Sequence, residues 1–183
     1  MKRYADDYEN VRTVDERGRE KTSVVYRGEY FSLDLDKASL QSFRALMIAL
    51  TLVMVSLLVG AGFLPSRGLY LAYVAIPYVV CYFPLLYLLI GVVRLPTKNA
   101  HLRRDEVGLS FDRIRTTSLL LVIFLGIGFL GQIAFLIFLS GGEALEWDLL
   151  LLLLQALALG SAVVIFIRTR KINVRLEDNP EGV

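Results

Sequence analysis

Four long stretches without a single Asp, Glu, Lys, Arg or His, residues 45–64, 69–93, 117–139 and 149–167, limit what this 183-residue chain can fold into. They run from 19 to 25 residues, and about 20 helical residues cross a hydrocarbon core of roughly 30 Å. Backbone facing lipid must satisfy its own hydrogen bonds, so such stretches are helices. One apolar run can be the buried helix of a soluble core. Four in a chain this short predict an all-α membrane fold, a four-transmembrane-helix bundle. Hydrophobic residues make up 55% of the chain and charged residues still 21%, and the two are kept apart. Charges gather in residues 1–44, in one internal loop and in the tail.

Loop charge predicts the orientation. The 94–116 loop carries Arg94, Lys98, Arg103, Arg104, Arg113 and Arg115, and the tail opens with Arg168, Arg170 and Lys171. The 65–68 connection has only Arg67, and the 140–148 connection has Glu143, Glu146 and Asp148 without a base. Lys and Arg accumulate in cytoplasmic loops. The basic loop and tail are therefore expected inside, and an even number of spans puts the N-terminus inside as well. The expected localisation is a cell membrane, multi-pass, with both termini cytoplasmic. Trp147, Tyr70 and Tyr73 then stand at the outer interface, where amphipathic rings prefer to lie.

Three segments follow: a cytoplasmic N-terminal segment (1–44), the transmembrane domain (45–167) and a cytoplasmic tail (168–183). The first is expected to hold a small β-element. Val11 to Val14 and Thr22 to Tyr26 flank a turn at Asp15-Glu16-Arg17-Gly18. After Arg27-Gly28-Glu29 the chain alternates again through Tyr30, Phe31, Ser32, Leu33, Asp34 and Leu35, the period of a half-buried strand. That reads as a β-meander. Asp36 is placed to cap a helix that starts at Lys37. The tail 172–177 alternates too, and is expected to join the N-terminal strands. Within the central loop, Leu102 to Val107 and the stretch around Phe111 and Ile114 read as two short helices, broken at Gly108.

Chemistry is scarce. Ionisable side chains inside a membrane mark pumps and transport paths, and the four stretches contain none. Small four-helix multidrug exporters depend on a carboxylate in the first span; residues 45–64 have neither Asp nor Glu, so no resemblance is claimed. Cys81 and His101 are single, so no disulfide or Cys/His metal set can form. A net charge of +2 without a basic stripe offers nothing to nucleic acid. No catalytic residue, metal ligand or cofactor is implied.

The polar side chains left in the spans are the candidates. Gln132 and Gln155 lie equally far from the middle of the third connection, so they are expected at one depth, hydrogen-bonded to each other or sharing a cavity. Gly128 and Gly131 are expected to let those helices approach. The second span carries Pro77 and Pro84, which bend it, and Tyr78 and Tyr82 beside them could pack or line a ligand site. Arg103, Arg104, Arg113, Arg115, Arg168, Arg170 and Lys171 are candidate contacts for lipid head groups. The expected role is non-enzymatic: an accessory, regulatory or partner-binding membrane subunit, or a homo-oligomer. The alternative is a transporter or channel for a small solute or lipid, lined by the Tyr/Pro-rich second span.

Overall fold

The structure, a computed structural model, describes residues 8–14, 20–26, 30–33, 37–96, 102–103, 107–139, 145–172 and 174–177. Its frame is four helical segments long and apolar enough to cross a membrane. The first is α1 (Lys37–Ala61). The second is divided into α2 (Ala72–Val80) and α3 (Tyr82–Val93), with a short 3-10 turn (Arg67–Tyr70) ahead of it. The third is α4 (Arg113–Phe138), entered through π-helical turns (Gly108–Asp112). The fourth is α5 (Leu145–Arg170). The Asp36 cap lies outside the described residues.

The division of the second span has a local cause. Pro84 has no N–H, so the Val80 carbonyl loses its helical donor. Helix α2 ends at that residue, and α3 restarts after Cys81, whose carbonyl accepts from Leu85 N at 3.0 Å. Pro77 in the same way frees the Tyr73 carbonyl. Gly131 of α4 lies against that oxygen: a Cβ there would sit 3.2 Å from it and 3.2 Å from the Tyr73 ring. Gly128 faces Pro77, where a Cβ would meet only ordinary contact at 3.7 Å. These two glycines therefore seat α4 on α2. The expectation that they draw α4 onto α5 is corrected.

The helices form a ring. Helix α1 lies beside α5 and α3, α5 beside α4, and α4 beside both halves of the second span. The buried positions explain the packing. On α5 they are Asp148, Leu151, Gln155, Ala158, Ala162, Ile165 and Thr169, alternating steps of three and four. Helix α1 follows the same rule with Met47, Thr51, Met54, Leu58 and Ala61, and α4 with Ile114, Ser118, Leu121, Leu125, Gly128, Gln132 and Phe135. A repeat of 3.5 residues keeps one seam facing its neighbours and gives helices crossing near +20°. Ala158 and Ala162 let α5 come close, as small residues do where lipid supplies no hydrophobic drive between helices. The core is completed by Leu85, Leu88 and Val92 of α3.

Among the described residues five strands lie outside the helices: β1 (Tyr8–Val14), β2 (Glu20–Tyr26), β3 (Tyr30–Leu33), β4 (Leu102–Arg103) and β5 (Val174–Glu177). They do not form one N-terminal meander, and that expectation is corrected. Strand β1 pairs antiparallel with β2 as a two-stranded unit, Tyr8 opposite Tyr26 and Val14 opposite Glu20. Strand β3 instead sits between β4 and β5, with Tyr30 opposite Arg103 on one side and Leu33 opposite Val174 on the other. Phe31 packs against the helical core, which ties β3 to the bundle rather than to β2. Leu102 and Arg103 are strand, not helix, and Gly108 lies within helical backbone rather than ending it. The turns at 15–19 and 27–29 and the end of the tail lie outside the described residues.

Candidate functional site

Two polar knots occupy the same end of the bundle. The first closes the C-terminus of α1. The last carbonyls of a helix have no intrahelical donor. Here Leu58 O accepts from Gly62 N at 3.2 Å, from the Tyr82 hydroxyl at 3.1 Å and from the Tyr78 hydroxyl. The two hydroxyls lie 3.0 Å apart, and the rings meet edge to face with centroids 5.7 Å apart. Tyr78 and Tyr82 stand four residues apart across the break in the second span, so the break aims both at α1. Gly62 makes room: a Cβ there would come within 2.9 Å of the Tyr78 oxygen. Both hydroxyls thus meet the C-terminal end of α1.

The second knot centres on Asp148, in the first turn of α5. Its carboxylate faces the positive end of the helix dipole, where an anion is favoured. Asp148 is 1% exposed. Ser66 Oγ donates to Asp148 Oδ1 at 2.5 Å, and Gly68 N reaches the same oxygen at 3.3 Å. Gln132 of α4 donates through Nε2 to the Asp148 backbone carbonyl at 3.2 Å. One residue therefore ties the first connection, the third span and the fourth together. Gly68 is tightly enclosed: a Cβ there would lie 2.1 Å from Gln132 Oε1.

Gln132 and Gln155 do not bond to each other, which corrects that expectation. Both are buried between the helices, but Gln132 spends its amide N–H on Asp148. Gln155 lies seven residues further along α5, about 10.5 Å deeper at 1.5 Å per residue. Among the described residues, three buried acceptor oxygens find no hydrogen-bond donor: Gln132 Oε1, Asp148 Oδ2 and Gln155 Oε1. Asp148 is the functional candidate that a reading of the sequence misses, because it stands next to a loop and looks like a topology-setting acid. Its signal is spacing. Asp148, Gln155, Ala162 and Thr169 recur every seven residues, all small or polar in a run otherwise rich in leucine.

The basic candidates lie at the opposite end. Arg113 lies over the Tyr87 ring, 5.9 Å from its centroid, and Arg170 over Phe166 at 5.5 Å. Cation–π contacts of this kind fix side chains that would otherwise be free to reach a head group. Arg168 and Lys171 are exposed and line a cavity against α1. Arg115 is exposed. For Arg103 the structure describes the backbone, in β4, and Arg104 lies outside the described residues. Among the described residues no group of three or more His, Cys, Asp or Glu side chains could hold a metal ion. Compared with known proteins, the chain matches no family model, no curated protein and no solved structure.

Proposed function

We propose that this chain is a multi-pass membrane subunit that acts by binding a partner, without catalysis of its own. The carrying observation is how the buried polar groups are used. Thr51, Thr117 and Thr169 bond to carbonyls one turn back in their own helices. Tyr78 and Tyr82 cap α1, and Ser66 and Gln132 hold Asp148. Between the two ends Met54, Leu121, Leu125, Leu88 and Ala158 make a mostly apolar packing around the single amide of Gln155, which favours a scaffold over a path. Further support comes from the pairing of β3 with β4 and β5, segments that precede the first span, separate the second from the third and follow the fourth. Such pairing requires all three on one side of the bilayer, as four complete crossings provide. We read them as a cytoplasmic β-element that offers the partner a surface. Affinity purification of the tagged full chain in mild detergent, followed by mass spectrometry, should return a stoichiometric membrane partner or a second copy of the chain. Recovery of the bare monomer alone would refute this reading.

A second reading, a solute carrier, draws on the three buried acceptors without donors, Gln132 Oε1, Asp148 Oδ2 and Gln155 Oε1. It requires flux through proteoliposomes that Asp148→Asn abolishes.

The proposed orientation keeps the termini and the basic loop cytoplasmic. In a Cys81→Ala background, Tyr70→Cys should react with an impermeant thiol reagent on intact cells, and Arg94→Cys should react only after permeabilisation. Tyr70 is 86% exposed and suits this, whereas Ser66 is buried against Asp148. The opposite labelling pattern would reverse the topology.

A further inference from the structure

We infer that the crevice between α1 and α5 is a binding site for one anionic phospholipid, drawn from the leaflet at the side of the chain's ends. It depends on the four helices crossing a bilayer, not on which side faces the cytoplasm.

The crevice has a polar mouth and an apolar floor. Its mouth is a cavity of about 450 Å³ with Ser39, Ser42 and Phe43 on the α1 side and Arg168 and Lys171 on the α5 side. Pockets for small ligands start at roughly 300 Å³. Arg168 stands in the last turn of α5 and Lys171 one residue past its end, and both line the cavity. Arg170, between them in sequence, is turned onto the Phe166 ring. The end of α5 therefore directs two cations of three at the cavity. Basic residues at a helix C-terminus also offset its dipole, but the dipole has no preference among faces and does not account for this division.

Beyond the mouth, α1 presents an exposed stripe through Ser42, Leu46, Ala49, Val53, Ser56 and Gly60. These positions alternate steps of four and three, so the stripe runs along the helix. Ala49, Ser56 and Gly60 are small, and a Cβ at Gly60 would meet nothing within 4 Å. The stripe leads into a second cavity of about 390 Å³ between Leu52, Val53, Ser56, Leu57 and Gly60 of α1 and Leu154 of α5. From Ser42 to Val53 the helix rises about 16 Å at 1.5 Å per residue. One leaflet of a core roughly 30 Å thick has that depth. A phosphate between Arg168 and Lys171 thus places its acyl chains along the stripe, with their ends at the second cavity. Basic pockets between spans are known to take anionic head groups. The charged mouth excludes an ordinary apolar helix as the occupant, since two cations would face it.

The test is native mass spectrometry of the purified full chain, titrated with phosphatidylglycerol or with phosphatidylcholine of the same acyl chains. One phosphatidylglycerol should bind roughly thirtyfold more tightly than phosphatidylcholine, two basic contacts being involved. Arg168→Gln with Lys171→Gln should remove that preference, and Arg168→Lys with Lys171→Arg should retain it. Arg94→Gln with Lys98→Gln removes as much charge elsewhere and should leave binding unchanged. Ser42→Trp fills the mouth from an exposed position with both cations intact, and should lower phosphatidylglycerol binding about as far; this holds even if the double Gln variant does not fold. Equal binding of the two lipids would overturn the site. So would Ser42→Trp binding phosphatidylglycerol like the parent, or a dimer that Ser42→Trp dissociates while lipid preference stays the same.

Discussion

Asp148→Ala should destabilise the bundle by about 2–3 kcal/mol, the cost of leaving buried donors without their acceptor. The Ser66 hydroxyl and the Gly68 N–H both point at Asp148 Oδ1, and Ser66 and Gly68 are both buried. Alanine removes that oxygen and leaves a void where water is scarce. Asp148→Asn keeps an acceptor of the same size and should retain about half of the stability or more. The Gln132 bond goes to the backbone carbonyl of residue 148, so it survives either substitution. Ser66→Ala removes only one donor and should cost about 1 kcal/mol. Thermal unfolding in detergent, followed by circular dichroism, gives the order parent, Asn, Ala. An Asp148→Ala variant that melts with the parent would mean the carboxylate holds nothing together.

Gly68→Ala should be the most disruptive alanine substitution among the described glycines. The added Cβ would overlap the whole Gln132 amide, with Oε1 at 2.1 Å, Cδ at 2.8 Å and Nε2 at 2.9 Å. A flexible end can swing aside on a surface, but Gln132 is fully buried and its Nε2 is bonded to Asp148. Overpacking of this kind costs about 1–3 kcal/mol, and the displaced amide loses its hydrogen bond as well. The prediction has an internal check. Gln132→Ala alone should cost modestly, about 0.6 kcal/mol on average and up to roughly 2 for such bonds between spans. In the double variant the clash is gone, so Gly68→Ala with Gln132→Ala should unfold close to Gln132→Ala alone. Strict additivity of the two would show that Gly68 and Gln132 do not meet. Gly128→Ala, with only ordinary contact to Pro77, is the neutral comparison.

The four spans were legible because their signal is one of composition. Twenty uncharged residues in a row have few other places to go, and backbone hydrogen bonding in lipid leaves the helix as their form. The break in the second span was legible for a similar reason: the missing N–H of Pro84 removes a bond at Val80 in any surroundings. Faces were harder to read. In a run such as 149–154, all leucine, hydrophobic periodicity carries no information, because lipid is as apolar as the interior. Only the spacing of polar and small residues marks the seam, and it does so for Asp148, Gln155, Ala162 and Thr169.

Partners between segments belong to the tertiary structure alone. Gln132 and Gln155 have the same chemistry and similar distances from their shared connection, yet one finds a backbone carbonyl and the other keeps an acceptor without a donor. The difference arises because the first connection folds inward, carrying Ser66 and Gly68 onto α5, and no local rule announces that. Strand β3 likewise had alternation enough to be seen but nothing to name its neighbours. Its partners lie about 70 and 145 residues away along the chain, with long apolar helices between, so they meet only once the bundle has packed. Amino-acid composition thus determined that this chain has four helices long and apolar enough to cross a membrane and where the second of them breaks, since each follows from the solvation and hydrogen bonding of single residues. Which side chain meets which was decided by the closed packing of the bundle, where burial and bonding depend on elements far apart in sequence.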